Sequence, residues 1–166
     1  MIKKMKNNQG GLPIVILWSV VFFIVIILCT FVIEWYYMTV KAEVVKDALT
    51  FSTLSVYKDI NQSQLQSGDL TLTNEMKTTF NKYLARNLNL NEDLSSKESS
   101  IIMSKVEIDY MKIYRKDDIE KTYPNGDVIE YKPSLFVRIK YDIEPILKGI
   151  LGNRKVVTTS AFIELN

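Results

Sequence analysis

Side chains able to do chemistry are few in this chain, and their spacing does not bring them together. Histidine is absent and Cys29 is the single cysteine, which leaves no His-based metal site, no Cys/His or Ser/His nucleophile pair and no intramolecular disulfide. Asp117, Asp118 and Glu120 fall in a charged turn and Glu92-Asp93 in a polar loop, where a solvated surface is the ordinary role of carboxylates. The stretch Gly149-Ile150-Leu151-Gly152 lacks the strand-to-helix setting that a phosphate-binding loop needs. The nine tyrosines fall mostly at positions expected to pack in helices and strands. A formal net charge of +2 is too small to argue for nucleic acid. The expectation is a protein without enzymatic activity, cofactor, metal or nucleic-acid partner.

Length and apolar patterning carry more. The 166 residues suffice for one domain with an appendage. Residues 12–33 hold no charge, and 17 of these 22 are Leu, Ile, Val or Phe. As a helix they measure about 33 Å against a hydrocarbon core of about 30 Å, and their insertion is favoured by at most roughly 5–10 kcal/mol. Pro13, Ser19, Cys29 and Thr30 do not offset that, and Cys29 reads as a small apolar residue within the bilayer. Lys3, Lys4 and Lys6 precede the run while Glu34 breaks it, so the positive-inside rule places residues 1–11 in the cytoplasm and 34–166 outside. The run exceeds a signal-peptide apolar core, and bulky Glu34-Trp35-Tyr36-Tyr37 comes next, where a small-residue cleavage site would stand. Trp35, Tyr36 and Tyr37 read as an interfacial belt.

Beyond the span a helical rhythm continues. Tyr37, Val40, Val44, Ala48, Phe51 and Ser55 recur every three or four residues, widened by Val45, Leu49 and Leu54. One helix to about Tyr57 is expected, its stripe serving either as a juxtamembrane coiled coil or as a spine against which the small domain packs. A polar connection around Gly68 leads to a second helix capped by Thr73 or Asn74, with Met76, Phe80, Tyr83, Leu84 and Leu88 on one face. The stretch from Asn89 to Ser100 reads as a solvated loop. From Ile101 the period changes to two, with Ile102, Ser104, Val106, Ile108 and Tyr110 on one face of a strand. Pro124-Asn125-Gly126 marks a turn through which Asp127 to Tyr131 can pair back. Leu135, Val137, Ile139, Tyr141 and Ile143 share a face of a second long strand, and Val157, Thr159, Ala161 and Ile163 of a third. The expected fold is α+β: a transmembrane helix continuing into an amphipathic helix packed on an antiparallel meander sheet. Its expected segments are a leader (1–11), a span (12–33), the helix extension (34–60) and the outer domain (61–166).

Two features point further. Asn7-Asn8-Gln9-Gly10-Gly11 ends a basic leader in glycine directly before the apolar run, the layout of a type IV prepilin-like leader, which a membrane peptidase cuts after glycine. The stretch Phe31-Val32-Ile33-Glu34-Trp35-Tyr36-Tyr37, followed by Val40, Ala42, Val45, Ala48 and Leu49, resembles the TadE-like family of small pilin-like proteins. The C-terminal run resembles it too: Val137-Arg138-Ile139-Lys140-Tyr141, Pro145-Ile146-Leu147, Gly149 to Gly152, then Val157-Thr158-Thr159-Ser160-Ala161. The resemblance covers roughly residues 10–57 and 135–166. It implies a pilin-like fold and a minor component of a tight-adherence type pilus or related secretion apparatus. Its partners would be the membrane, other pilin-like subunits or platform proteins, and a prepilin peptidase acting at Gly10 or Gly11. Pilin-like proteins usually carry a glutamate five residues after the cut; here Val15 or Ile16 stands there, so an uncut, permanently anchored assembly factor is the other form of this reading. The alternative class is a single-pass anchored sensor or binding module.

Overall fold

A computed structural model describes residues 11–60, 70–118, 121–129, 132–148 and 155–165. Three sequence expectations lie outside the described residues: the leader through Gly10, the connection at 61–69, and the link from Gly149 to Gly152. Helix α1 runs Gly11–Ser55 and tightens into a 3-10 turn, Val56–Asp59. Helix α2 is Asn74–Asn87, and strands β1, β2 and β3 are Glu107–Tyr114, Ser134–Ile143 and Lys155–Glu164. This is the α+β layout expected, with a long apolar N-terminal helix and a three-stranded antiparallel sheet in the order β1-β2-β3. The chain divides into two compact units between Tyr37 and Met38.

The N-terminal unit holds the apolar part of α1. Pro13 occupies its first turn, where a missing N–H costs nothing, and no other proline or glycine interrupts it before Ser55. Ser19 and Thr30 donate their hydroxyls back to the carbonyls of Val15 and Ile26, at 2.9 and 2.7 Å, so these polar groups are satisfied within the helix itself.

The second unit holds the sheet, α2 and the Met38–Ser55 part of α1. Thr73 caps α2 by accepting the Met76 N–H at 3.2 Å, and Met76, Phe80 and Leu84 on its inner face are fully buried. Leu135, Val137, Ile139, Tyr141 and Ile143 of β2 bury with them, and Val157, Thr159, Ala161 and Ile163 of β3 pair across from Tyr141, Ile139, Val137 and Leu135. These faces are the ones that alternation marks. Val45 and Leu49 of α1 and Val56 of the 3-10 turn are buried as well.

Three local expectations need correction. The strand expected from Ile101 begins only at Glu107 and runs on to Tyr114. Ile102 and Val106 are buried as expected, but through irregular backbone: Ile102 bridges Ile143, and the Val106 N–H donates to the Leu94 carbonyl at 3.0 Å. Secondly, the register between β1 and β2 shifts between Ile108 and Tyr110. The extra residue, Asp109, reverses the facing of the residues after it, as a β-bulge does. Tyr110 therefore pairs with Arg138 on the outer face, not with the Ile108 side. Thirdly, the loop from Asn89 to Ser100 is not merely solvated, because Leu90 and Leu94 within it are 3% and 5% exposed. Burying both bends the backbone to positive φ at Asn89 and Leu94.

The bulge creates a second, aromatic core on the outer face of the sheet. Tyr114, Tyr123, Ile129 and Phe136 cluster there with Tyr110 against them. Tyr123 stacks on Phe136 at 5.2 Å and meets Tyr114 edge-on at 5.0 Å between ring centroids. The turn at Pro124-Asn125-Gly126 brings this about: Gly126, at φ +93°, reverses the chain, and Thr122 bridges Val128. The Ile129 N–H then donates to the Lys121 carbonyl at 2.8 Å. The Tyr123 hydroxyl bonds the hydroxyl of buried Ser134. Burial, and secondarily the hydroxyl of Tyr110 3.1 Å away, push the Tyr114 phenol above its ordinary pKa.

Farther along the same face Asp109 accepts from Arg138 Nε at 2.6 Å and from Lys140 Nζ at 2.5 Å. The Lys140 bond foremost, then Arg138, hold its carboxyl below the usual aspartate range against the opposing effect of partial burial. A depressed carboxylate stabilises the fold fully above the unfolded pKa of about 3.9 and loses that contribution as pH falls through the lower folded value. Asp109→Asn should therefore flatten the acid limb of the stability profile, measured by denaturant titration of the full chain in detergent micelles. Phe136→Ala should cost about 3–5 kcal/mol in the same assay, whereas Phe162→Ala, at a side chain 47% exposed, should cost clearly less.

Candidate functional site: the two faces of helix α1

A helix that is to hold a domain to something else must present surface its own domain leaves uncovered. In α1 that surface has two parts. The large apolar side chains from Ile14 to Ile33 are 41–68% exposed, and α1 is long and apolar enough to cross a membrane. A contiguous apolar surface of this size is far beyond what soluble proteins leave in water. Among the described residues of 13–37 only Glu34 is buried, at 4% exposure, while Trp35 and Tyr36 beside it are 73% and 69% exposed. Tyr37 is half-buried. Of the two glycines singled out as a processing point, Gly11 is the first residue of α1 and Gly10 lies outside the described residues.

The second part is on the outer half of the helix, where the domain buries only part of the expected stripe, namely Val45, Ala48 and Leu49. Met38, Val45, Ala48, Leu49, Ser52, Thr53 and Val56 are buried, while Val40, Val44, Phe51 and Leu54 are 39%, 47%, 65% and 44% exposed. The helical period was legible and marked Val45, Ala48 and Leu49; that Val40, Val44, Phe51 and Leu54 stay outside was not legible. The buried face carries the smaller groups Ala48, Ser52 and Thr53, which allow a close approach. Ser52 donates to the Ala48 carbonyl at 2.6 Å and accepts from Asn87 Nδ2 of α2 at 3.1 Å, and Thr53 donates to Leu49 at 2.7 Å. Every buried hydroxyl on this face is thereby satisfied. At the foot of the helix Lys58 Nζ lies 3.1 Å from the Tyr83 hydroxyl, and this bond is the main cause of that phenol's lowered pKa.

Val40, Val44, Asp47, Phe51 and Leu54 step by four, three, four and three residues, the spacing of a seam that packs against another helix. One polar residue, exposed Asp47, stands in it. Among the described carboxylates singled out in the sequence, Asp118 is tied to Lys121 at 2.7 Å and Asp93 to Ser95 at 2.6 Å, while Glu120 lies outside the described residues. Among the described residues no group of three or more His, Cys, Asp or Glu side chains could hold a metal ion. No protein-family model, curated protein or solved structure matches the chain.

The two faces differ in what they contribute to stability. Leu49→Ala should destabilise the second unit by about 2–5 kcal/mol. Val44→Ser and Phe51→Ser should each stay within about 0.5 kcal/mol of the parent, measured by denaturant titration of the full chain in micelles.

Proposed function

We propose that this chain is a non-enzymatic, membrane-anchored, pilin-like component of the TadE-like type that serves assembly of a tight-adherence type pilus or related secretion apparatus. The observation that carries the reading is α1 itself: one helix with an apolar segment of spanning length, followed by a seam that its own domain leaves open. The apolar segment holds the protein in the cytoplasmic membrane, N-terminus inside, and the seam engages a helix of another subunit beside it. Trp35 and Tyr36 mark the outer border of the bilayer. The family resemblance at Phe31 to Tyr37 and over 135–166 agrees with this division of labour.

Asp47 narrows the choice of helix partner. A seam paired with itself in parallel register would set Asp47 against Asp47 at the apolar interface. Like charges directly opposed in such a place are unfavourable. A pilin-like subunit or platform protein of different sequence, with Lys or Arg at the matching level, suits the seam.

Protease added to intact spheroplasts should remove a C-terminal epitope; complete protection of that epitope would refute the orientation. Where a prepilin peptidase acts on the chain, it cuts after Gly10 or Gly11. Replacing both glycines with leucine should then leave the leader attached and the protein in the membrane fraction at unchanged abundance, because the insertion energy of roughly 5–10 kcal/mol lies wholly in the apolar run beyond them. The mass of the mature N-terminus reads this directly.

A further inference from the structure

The two edges of the sheet are treated differently. Natural sheets blunt an edge with a bulge, a proline or charges along it, because an unpaired row of N–H and C=O groups is a template for another strand. β1 has such protection: the bulge at Asp109, with Lys112 exposed farther along. β3 does not. Its register with β2 is unbroken over ten pairs, from Glu164 opposite Ser134 to Lys155 opposite Ile143. Its sequence, Lys-Val-Val-Thr-Thr-Ser-Ala-Phe-Ile-Glu, has no proline or glycine, and its charges stand only at the two ends. Among the described residues no strand pairs with its far side. On its outer face Val156 and Phe162 remain 69% and 47% exposed, with Phe162 stacked on Tyr123 at 5.5 Å.

We propose that β3 pairs with β3 of a second copy of this chain, antiparallel about Thr159, joining two three-stranded sheets into one of six strands. Charge sets the direction. Parallel pairing would lay Lys155 on Lys155 and Glu164 on Glu164, whereas antiparallel pairing brings the cationic end of each strand to the anionic end of the other. Facing sets the register. A two-fold axis normal to the sheet keeps the outer faces together, so only residues of like facing can oppose each other. Centred on Thr159, Val156 of each copy meets Phe162 of the other, and Thr158 meets Ser160. Both are favourable cross-strand combinations, and the first covers the exposed apolar pair. Centred on Ser160 instead, Val156 would meet Glu164 and Phe162 would meet Thr158, leaving the apolar residues unmatched. This pairing is independent of the seam on α1, which selects a partner of different sequence.

Cysteine pairing tests direction and register together. In the full-length chain with Cys29→Ala, Thr158→Cys on one tagged copy and Ser160→Cys on a differently tagged copy are co-expressed and oxidised mildly in native membranes. Directly opposed residues stand about 4.5–5.5 Å apart and diagonal ones about 7–8 Å, and only the former suit a disulfide. The mixed pair should cross-link roughly ten-fold more than either variant with itself or than a Lys112→Cys pair on the β1 edge. A mixed yield no higher than the Lys112→Cys control would overturn the proposal, as would cross-linking solely to other proteins. Predominance of either self-pair would overturn the register centred on Thr159. Without substitution, β3 amide exchange in micelles should quicken on dilution while that of β1 stays constant; exchange independent of concentration would count against the dimer.

Discussion

Apolar surface that the domain does not bury governs this protein. A water-exposed helix tolerates scattered apolar side chains, but α1 carries them along nearly its whole length, from Ile14 through Ile33 and again at Val40, Val44, Phe51 and Leu54. Each exposed apolar square ångström costs about 25 cal/mol in water, so that surface requires another medium or another protein. The first stretch is uniformly apolar around the helix, which suits lipid. The second is a stripe on a helix whose opposite side is committed to the domain's own core, which suits a neighbouring helix. One element thus changes environment along its axis, and the rest of the fold has to hold its second half firmly enough for the stripe to keep its facing.

The grip on α1 is specific. Val45, Leu49 and Val56 supply apolar burial, while Ser52, bonded to Ala48 and Asn87, fixes the helix against α2 at one level. The sheet in turn is stiffened on both faces. Its inner face belongs to the main core, and its outer face is closed at one end by the Tyr123 hairpin and continues into the Asp109–Arg138–Lys140 cluster.

How much of this was legible in the sequence depended on whether a local period fixes the outcome. The long apolar helix and the alternating faces of β2 and β3 come from spacing alone, and the structure has each of these elements where spacing puts it; spacing left the α2 cap between Thr73 and Asn74, and Thr73 takes it. The stripe expected on α1 was too wide: Val45, Ala48 and Leu49 of it are buried, while Val40, Val44, Phe51 and Leu54 stay exposed and the small Ser52 and Thr53 join the buried side instead. The bulge at Asp109 was also hidden: one unpaired residue inverts the alternation, and the aromatic core made by Tyr110, Tyr114, Tyr123 and Phe136 exists only after that inversion. A signal was present in Phe136, an aromatic among charges on the nominally wet face of β2. Leu90 and Leu94 gave a similar sign, two large apolar residues four apart in a loop otherwise polar.

We infer that the exposed seam on α1 is occupied by protein in the cell. A photo-cross-linking amino acid placed at Phe51 in the full-length chain and irradiated in intact cells probes this, with Lys46 on another side of the helix as the comparison. The expected result is a discrete adduct from position 51 with a second membrane-anchored protein, absent from position 46. No adduct from position 51, or the same pattern of adducts from both positions, would contradict it.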